Sequence, residues 1–126
     1  MGYDVHITRR KQWFDEEGPS ISFDEWAECV SSDSEMRMEG FAQFTNPKTD
    51  ETIRFDSPGL AVWTGHSRMA IYWFHWCGGD VAVKNPDQET LRKMWIIARR
   101  LSAYVQGDDG ETYDESGQMS QTIRKD

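Results

Sequence analysis

The chain of 126 residues has only two cysteines, Cys29 and Cys77, and four prolines. Two thiols are too few for a disulfide framework, so a reduced, cytoplasmic setting is expected. No apolar run approaches the roughly 20 residues that span a bilayer, and "MGYDVHITRR" lacks the apolar segment of a secretory leader. The initial Met-Gly does not make a myristoylation signal, because His6 stands where Ser or Thr is required. Basic residues are missing altogether from Gln12 to Met36. That stretch holds eight carboxylates: Asp15, Glu16, Glu17, Asp24, Glu25, Glu28, Asp33 and Glu35. With a formal net charge of −8, the chain is a poor match for nucleic acid or an anionic membrane, where phosphates call for cations. A basic protein partner is the electrostatic complement.

Aromatic residues are plentiful: six Trp, six Phe and four Tyr. Each removes about 150–250 Å² from water when buried, so a hydrophobic fraction of 37% suffices for one core. Residues 1–115 are expected to form a single domain, and 116–126 a flexible tail poor in apolar side chains.

"YDVHITR" alternates Tyr3, Val5 and Ile7 with Asp4, His6 and Thr8, a strand pattern. In "ISFDEWAECV", Ser22 and Glu25 make a capping box, and Phe23, Trp26, Ala27 and Val30 recur on one helical face. The pattern predicts a helix over 23–31. Between Met38 and Lys84 there are only strand and turn signals, including Gly78-Gly79, a two-residue hairpin turn. They predict an antiparallel meander. A second helix over 86–102 starts from Asn85 as N-cap and buries Leu91, Met94, Trp95, Ala98 and Leu101. Asp109-Gly110 then predicts a type I′ hairpin. The fold class is α+β: an antiparallel, mostly meandering sheet of six or seven strands, two amphipathic helices on one face, and a C-terminal hairpin.

"IYWFHWC" (71–77) is apolar in both phases. Tyr72, Phe74 and Trp76 point one way, and Ile71, Trp73, His75 and Cys77 the other. Two helices can cover one face of a sheet, so the second face needs its own cover. Loops of the chain itself, a concave aromatic pocket and a protein-docking patch are the three alternatives.

Catalytic and metal signatures are sparse. There is no G-x-S-x-G elbow and no P-loop. His75 and Cys77 share a strand face, but His6, His66 and Cys29 bring no metal-ligand spacing to complete a zinc set, and no metal or other cofactor is expected. Cys77 with His75 remains a thiolate pair for a hydrolase, the weakest of the readings.

"YDVHITR", "EEGPSISFDEW" and "VAVKNPDQETLRKMWIIARRLSAYVQGDDGETY" are similar, in this order, to a group of small, largely uncharacterised bacterial proteins. The resemblance implies no site residue. In size and charge the chain also resembles immunity proteins that neutralise secreted or contact-delivered toxins. The leading expectation is therefore a non-catalytic inhibitor of a basic toxin domain, contacting it through Trp13, Asp15, Glu16, Glu17, Trp73 and Trp76. The alternative is a small-molecule module with a pocket of Trp63, Trp73 and His75.

Overall fold

The computed structural model describes residues 3–119. Eight strands and two helices follow one another as β1 (Asp4–Thr8), α1 (Phe23–Ser31), β2 (Met36–Met38), β3 (Phe41–Thr45), β4 (Thr52–Asp56), β5 (Leu60–Trp63), β6 (Tyr72–Cys77), β7 (Asp80–Lys84), α2 (Gln88–Arg100) and β8 (Tyr104–Gly107). Six strands form one antiparallel sheet in the order β2-β5-β6-β7-β1-β8. The architecture is α+β, as the sequence pattern predicts.

The meander is confined to β5-β6-β7. β1 sits between β7 and β8, pairing with both. Its backbone is paired along both edges, and α2 carries the chain from β7 across to β8 on the far side of β1. β3 and β4 do not extend the plate. They form a separate two-stranded sheet, inserted in sequence between β2 and β5. Gly40, at φ +79°, turns the chain out of β2, and Ser57-Pro58-Gly59 returns it to β5.

Local signals explain the helix ends. Ser22 accepts from the Glu25 amide, and Glu25 accepts from the Ser22 amide, completing the capping box before α1. α2 is capped by Asp87 rather than Asn85. Asn85 adopts φ +48° and takes the Tyr3 amide on its side-chain oxygen, tying β1 to the end of β7. The Gly78-Gly79 turn has positive φ at both residues, as a primed hairpin requires. The last hairpin differs from the expected type I′ turn. Only Gly110 is left-handed, the Gly110 amide bonds to Gly107, and the Gly107 amide bonds to Glu111. This is the three-residue loop with a type I turn and a left-handed third position.

One core fills the space between the helices and one sheet face. Val5, Ile7, Ala61, Trp63, Phe74, Val81, Val83 and Val105 meet Trp26, Val30, Leu91, Met94, Ile97 and Ala98. Trp26 donates its indole N–H to the Gly59 carbonyl (2.9 Å), so its burial leaves no orphaned donor. Phe23, expected on the buried face of α1, is partly exposed and meets Trp76 edge-on. Residues 116–119 are fastened by a Gln88–Ser116 hydrogen bond and by pairing of Tyr113 with Met119; 120–126 of the expected tail lie outside the described residues.

Candidate functional site

The sheet face turned away from the helices carries His6 and Thr8 on β1, Ala82 on β7, Trp73 and His75 on β6, and Leu60 and Val62 on β5. Register aligns Leu60, His75, Ala82 and His6 in one row across four strands. Two pieces of the chain close over this row. At the β1 end, Trp13 stacks flat on His6, donates its backbone amide to Gln106 (2.6 Å) and its indole N–H to the Asp108 carbonyl (3.2 Å). At the β5 end, the β3–β4 hairpin places Phe55 edge-on to His75, and Ser57 Oγ lies 2.9 Å from His75 Nε2.

Between the hairpin and the sheet a groove of about 400 Å³ remains, lined by Asp4, Ala42, Phe55, Leu60, Trp73, His75, Ala82 and Lys84. Its surface is mainly apolar. Burial pushes the His75 imidazolium equilibrium down, favouring the neutral ring. Asp4 and Lys84 face each other across 3.9 Å.

The expected site residues divide between the two faces. Trp73 and His75 lie together in the groove. Trp63 does not join them: it is buried on the helix-covered face, donating to Glu35 Oε1 (3.0 Å). β5–β6 register aligns Trp63 with Tyr72, not Trp73, and so fixes its side. Trp76 also belongs to the helix side, with its indole N–H on the Ile21 carbonyl (2.8 Å). Trp13 is committed to His6 and Gln106. Trp13 and Trp76 are both partly buried, each with its indole N–H on a backbone carbonyl. Phe14, next to Trp13, is the exposed one (57%), and its neighbour Asp15 caps the turn by accepting from the Gln12 amide. Glu16 and Glu17 are exposed.

Sequence reasoning missed Phe14, and it missed Phe55, Ala42 and Leu60 as groove walls. The adjacent Trp13 and Phe14 gave no sign of which would turn inward. Phe55 and Ile53 did share one phase of β4, a two-residue apolar stripe that could have marked the hairpin face.

Part of the acidic block serves the fold. Asp33 is buried beneath Lys93 Nζ (2.7 Å) and Arg100 Nη1 (2.9 Å), and Lys93 also donates to Glu35 Oε1 (3.0 Å). Burial alone would raise the Asp33 carboxyl; hydrogen bonds from Lys93, the Glu35 amide and Arg100 outweigh it and hold the group below its ordinary range. The indole of Trp63 and the ammonium of Lys93 lower Glu35 in the same way. Glu25 forms a paired hydrogen bond with Arg9 (2.9 Å for both contacts). Glu16, Glu17, Asp24 and Glu28 stay exposed along 16–28.

Among the described residues no hydrogen bond links His75 to the exposed Cys77, and His75 Nε2 is engaged by Ser57. Burial pushes the other thiol, Cys29, upward against the opposing influence of Arg100, leaving it protonated at neutral pH.

The fold and its surfaces define a class: an α+β domain whose open sheet face is half-closed by a hairpin and an N-terminal loop. Comparison with protein-family models, with curated proteins and with solved structures finds no match. No described helix is long and apolar enough to cross a membrane.

Proposed function

We propose that the protein is a non-catalytic inhibitor of the immunity type, which binds a basic toxin domain through the segment 14–28. One observation carries the reading. After the ion-paired carboxylates Glu25, Asp33 and Glu35 are set aside, Glu16, Glu17, Asp24 and Glu28 remain exposed on a segment free of cations, beside the exposed rings of Phe14 and Phe23. An apolar anchor surrounded by like charges suits association steered by charge and held by a buried ring. The rigid support of this segment helps: Trp13 pins its start to the sheet, and the Ser22–Glu25 capping box pins its end.

The test is co-expression with the product of the reading frame next to its own gene, scoring growth. The reading expects rescue by the native chain and its loss in the double variant Glu16→Lys/Glu17→Lys, which leaves the internal ion pairs intact. Rescue by the double variant equal to that of the native chain contradicts it.

A further inference from the structure

We propose that the groove between the β3–β4 hairpin and the open sheet face is a binding site for a small, uncharged aromatic ligand with one hydrogen-bonding group. The site is independent of the inhibitor reading and concerns a different surface.

Size comes first. A volume of about 400 Å³ falls within the range of about 300–1,000 Å³ usual for small-molecule sites, and it leaves room for one or two fused rings. The walls then set the chemistry. Phe55 on one side and Trp73 on the other offer ring faces and edges, while Leu60, Ala42 and Ala82 give an apolar lining with no large side chain at Ala42 or Ala82. A flat ring gains most from such a slot, through offset or edge contacts with both aromatics.

The electrostatics favour no charged ligand. Lys84 and Asp4 are the two charged residues of the lining, and they oppose each other across 3.9 Å, leaving no net charge to match. His75 is the one neutral side chain in the lining that accepts a hydrogen bond, since the indole N–H of Trp73 can only donate. Ser57 engages its Nε2, and its Nδ1 makes no hydrogen bond among the described residues. That ring offers a ligand hydroxyl a single neutral acceptor, in keeping with an apolar site that has few polar groups.

Two other cavities lack this combination. One is lined by Arg9, Glu25, Glu28 and Arg100, the other by Asp33, Glu35, Glu89, Arg92, Lys93 and Arg100, so charged side chains dominate both.

The test uses the intact protein with 2-naphthol as probe, its methyl ether and 2-naphthoate as comparators, and amide and indole NMR shifts as readout. The proposal expects saturable binding of 2-naphthol, with shifts gathered at Trp73, His75, Phe55 and Ala82, and at least tenfold weaker binding of the naphthoate. Phe55→Ala, on a half-exposed hairpin position that the core does not need, should weaken 2-naphthol at least fivefold. His75→Leu should erase the preference for 2-naphthol over the ether. Absence of saturable shifts, shifts centred elsewhere, or a Phe55→Ala variant that binds as well as the native chain would each overturn the assignment.

Discussion

Trp13 lies flat on His6, with ring centroids 3.9 Å apart and planes inclined by 6°. The contact closes one end of the open sheet face, because His6 is otherwise a polar ring on an apolar row. It also connects two hydrogen-bond systems: Gln106 receives the Trp13 amide, and Asp108 Oδ1 lies 2.9 Å from His6 Nε2. Trp13 is thus a structural lid, and its neighbour Phe14 the exposed ring.

Trp13→Ala should cost roughly 2–4 kcal/mol, near or below the range of about 3–5 kcal/mol for a fully buried Trp, since Trp13 is half-buried. Phe14→Ala should stay within about 0.5 kcal/mol of the native chain. Urea denaturation of both variants checks the pair. Equal losses would mean that the inward and outward assignments are wrong.

The buried pair Asp33–Lys93 yields a second expectation. Side chains only 6% and 9% exposed cannot lose one partner cheaply, so Asp33→Ala should destabilise by roughly 3–5 kcal/mol. Asp33→Leu combined with Lys93→Met should recover part of this, because no buried charge is left unpaired and the remaining partners, Arg100 and Glu35, are half-exposed. Thermal unfolding of the single and double variants decides it; a double variant less stable than the single would contradict the account.

Two tyrosines share one carboxylate. Tyr3 and Tyr113 both donate to Glu111 Oε2, and burial, followed by this contact, raises both phenols, Tyr3 to about 12. A phenol ionises near 10 in the unfolded chain, so the folded state holds its proton more tightly. This contribution to stability is complete below about pH 10 and is lost as pH rises toward 12. Ultraviolet titration should find Tyr3 and Tyr113 ionising later in the folded protein than in denaturant. Glu111→Gln should bring Tyr3 and Tyr113 part of the way down, burial keeping the rest.

Gly59 marks the tightest backbone approach between the β4–β5 turn and β6. A β-carbon there would lie 2.7 Å from the Trp76 carbonyl, and the Gly59 carbonyl is the acceptor for both Trp26 and the Trp76 amide. Gly59→Ala should cost roughly 1–3 kcal/mol by overpacking. Denaturation with tryptophan fluorescence as the signal checks it, and a neutral substitution would show that the turn can give way.

Local chemistry made much of this fold legible. Ser22 and Glu25 announce α1 to the residue, and Gly78-Gly79 announces the β6–β7 turn, because both signals act within four residues. The site was less legible because it depends on parity between strands far apart in sequence. Eight residues separate Trp63 from Tyr72, and no periodicity crosses that loop to say which face of the sheet Trp63 takes. His66 holds the loop by donating to Asp87 (2.7 Å) while its Nδ1 accepts the Arg68 amide, a long-range constraint without a sequence signature. The same holds for β1, whose central place is decided by partners 74 or more residues away. The acidic block looked uniform in sequence, yet Lys93 and Arg100 reach from α2 to bury Asp33 and pair Glu35, setting them apart from the other carboxylates.

The most direct measurement is the affinity for the cognate basic domain at low and high salt, for the native chain and for Glu16→Lys/Glu17→Lys. The account predicts tight binding that weakens steeply with salt, a double variant weaker by tenfold or more at low salt, and convergence of the two at high salt, where exposed charges are screened beyond about 3 Å at 1 M. Equal affinities at low salt, or a native affinity indifferent to salt, would contradict it.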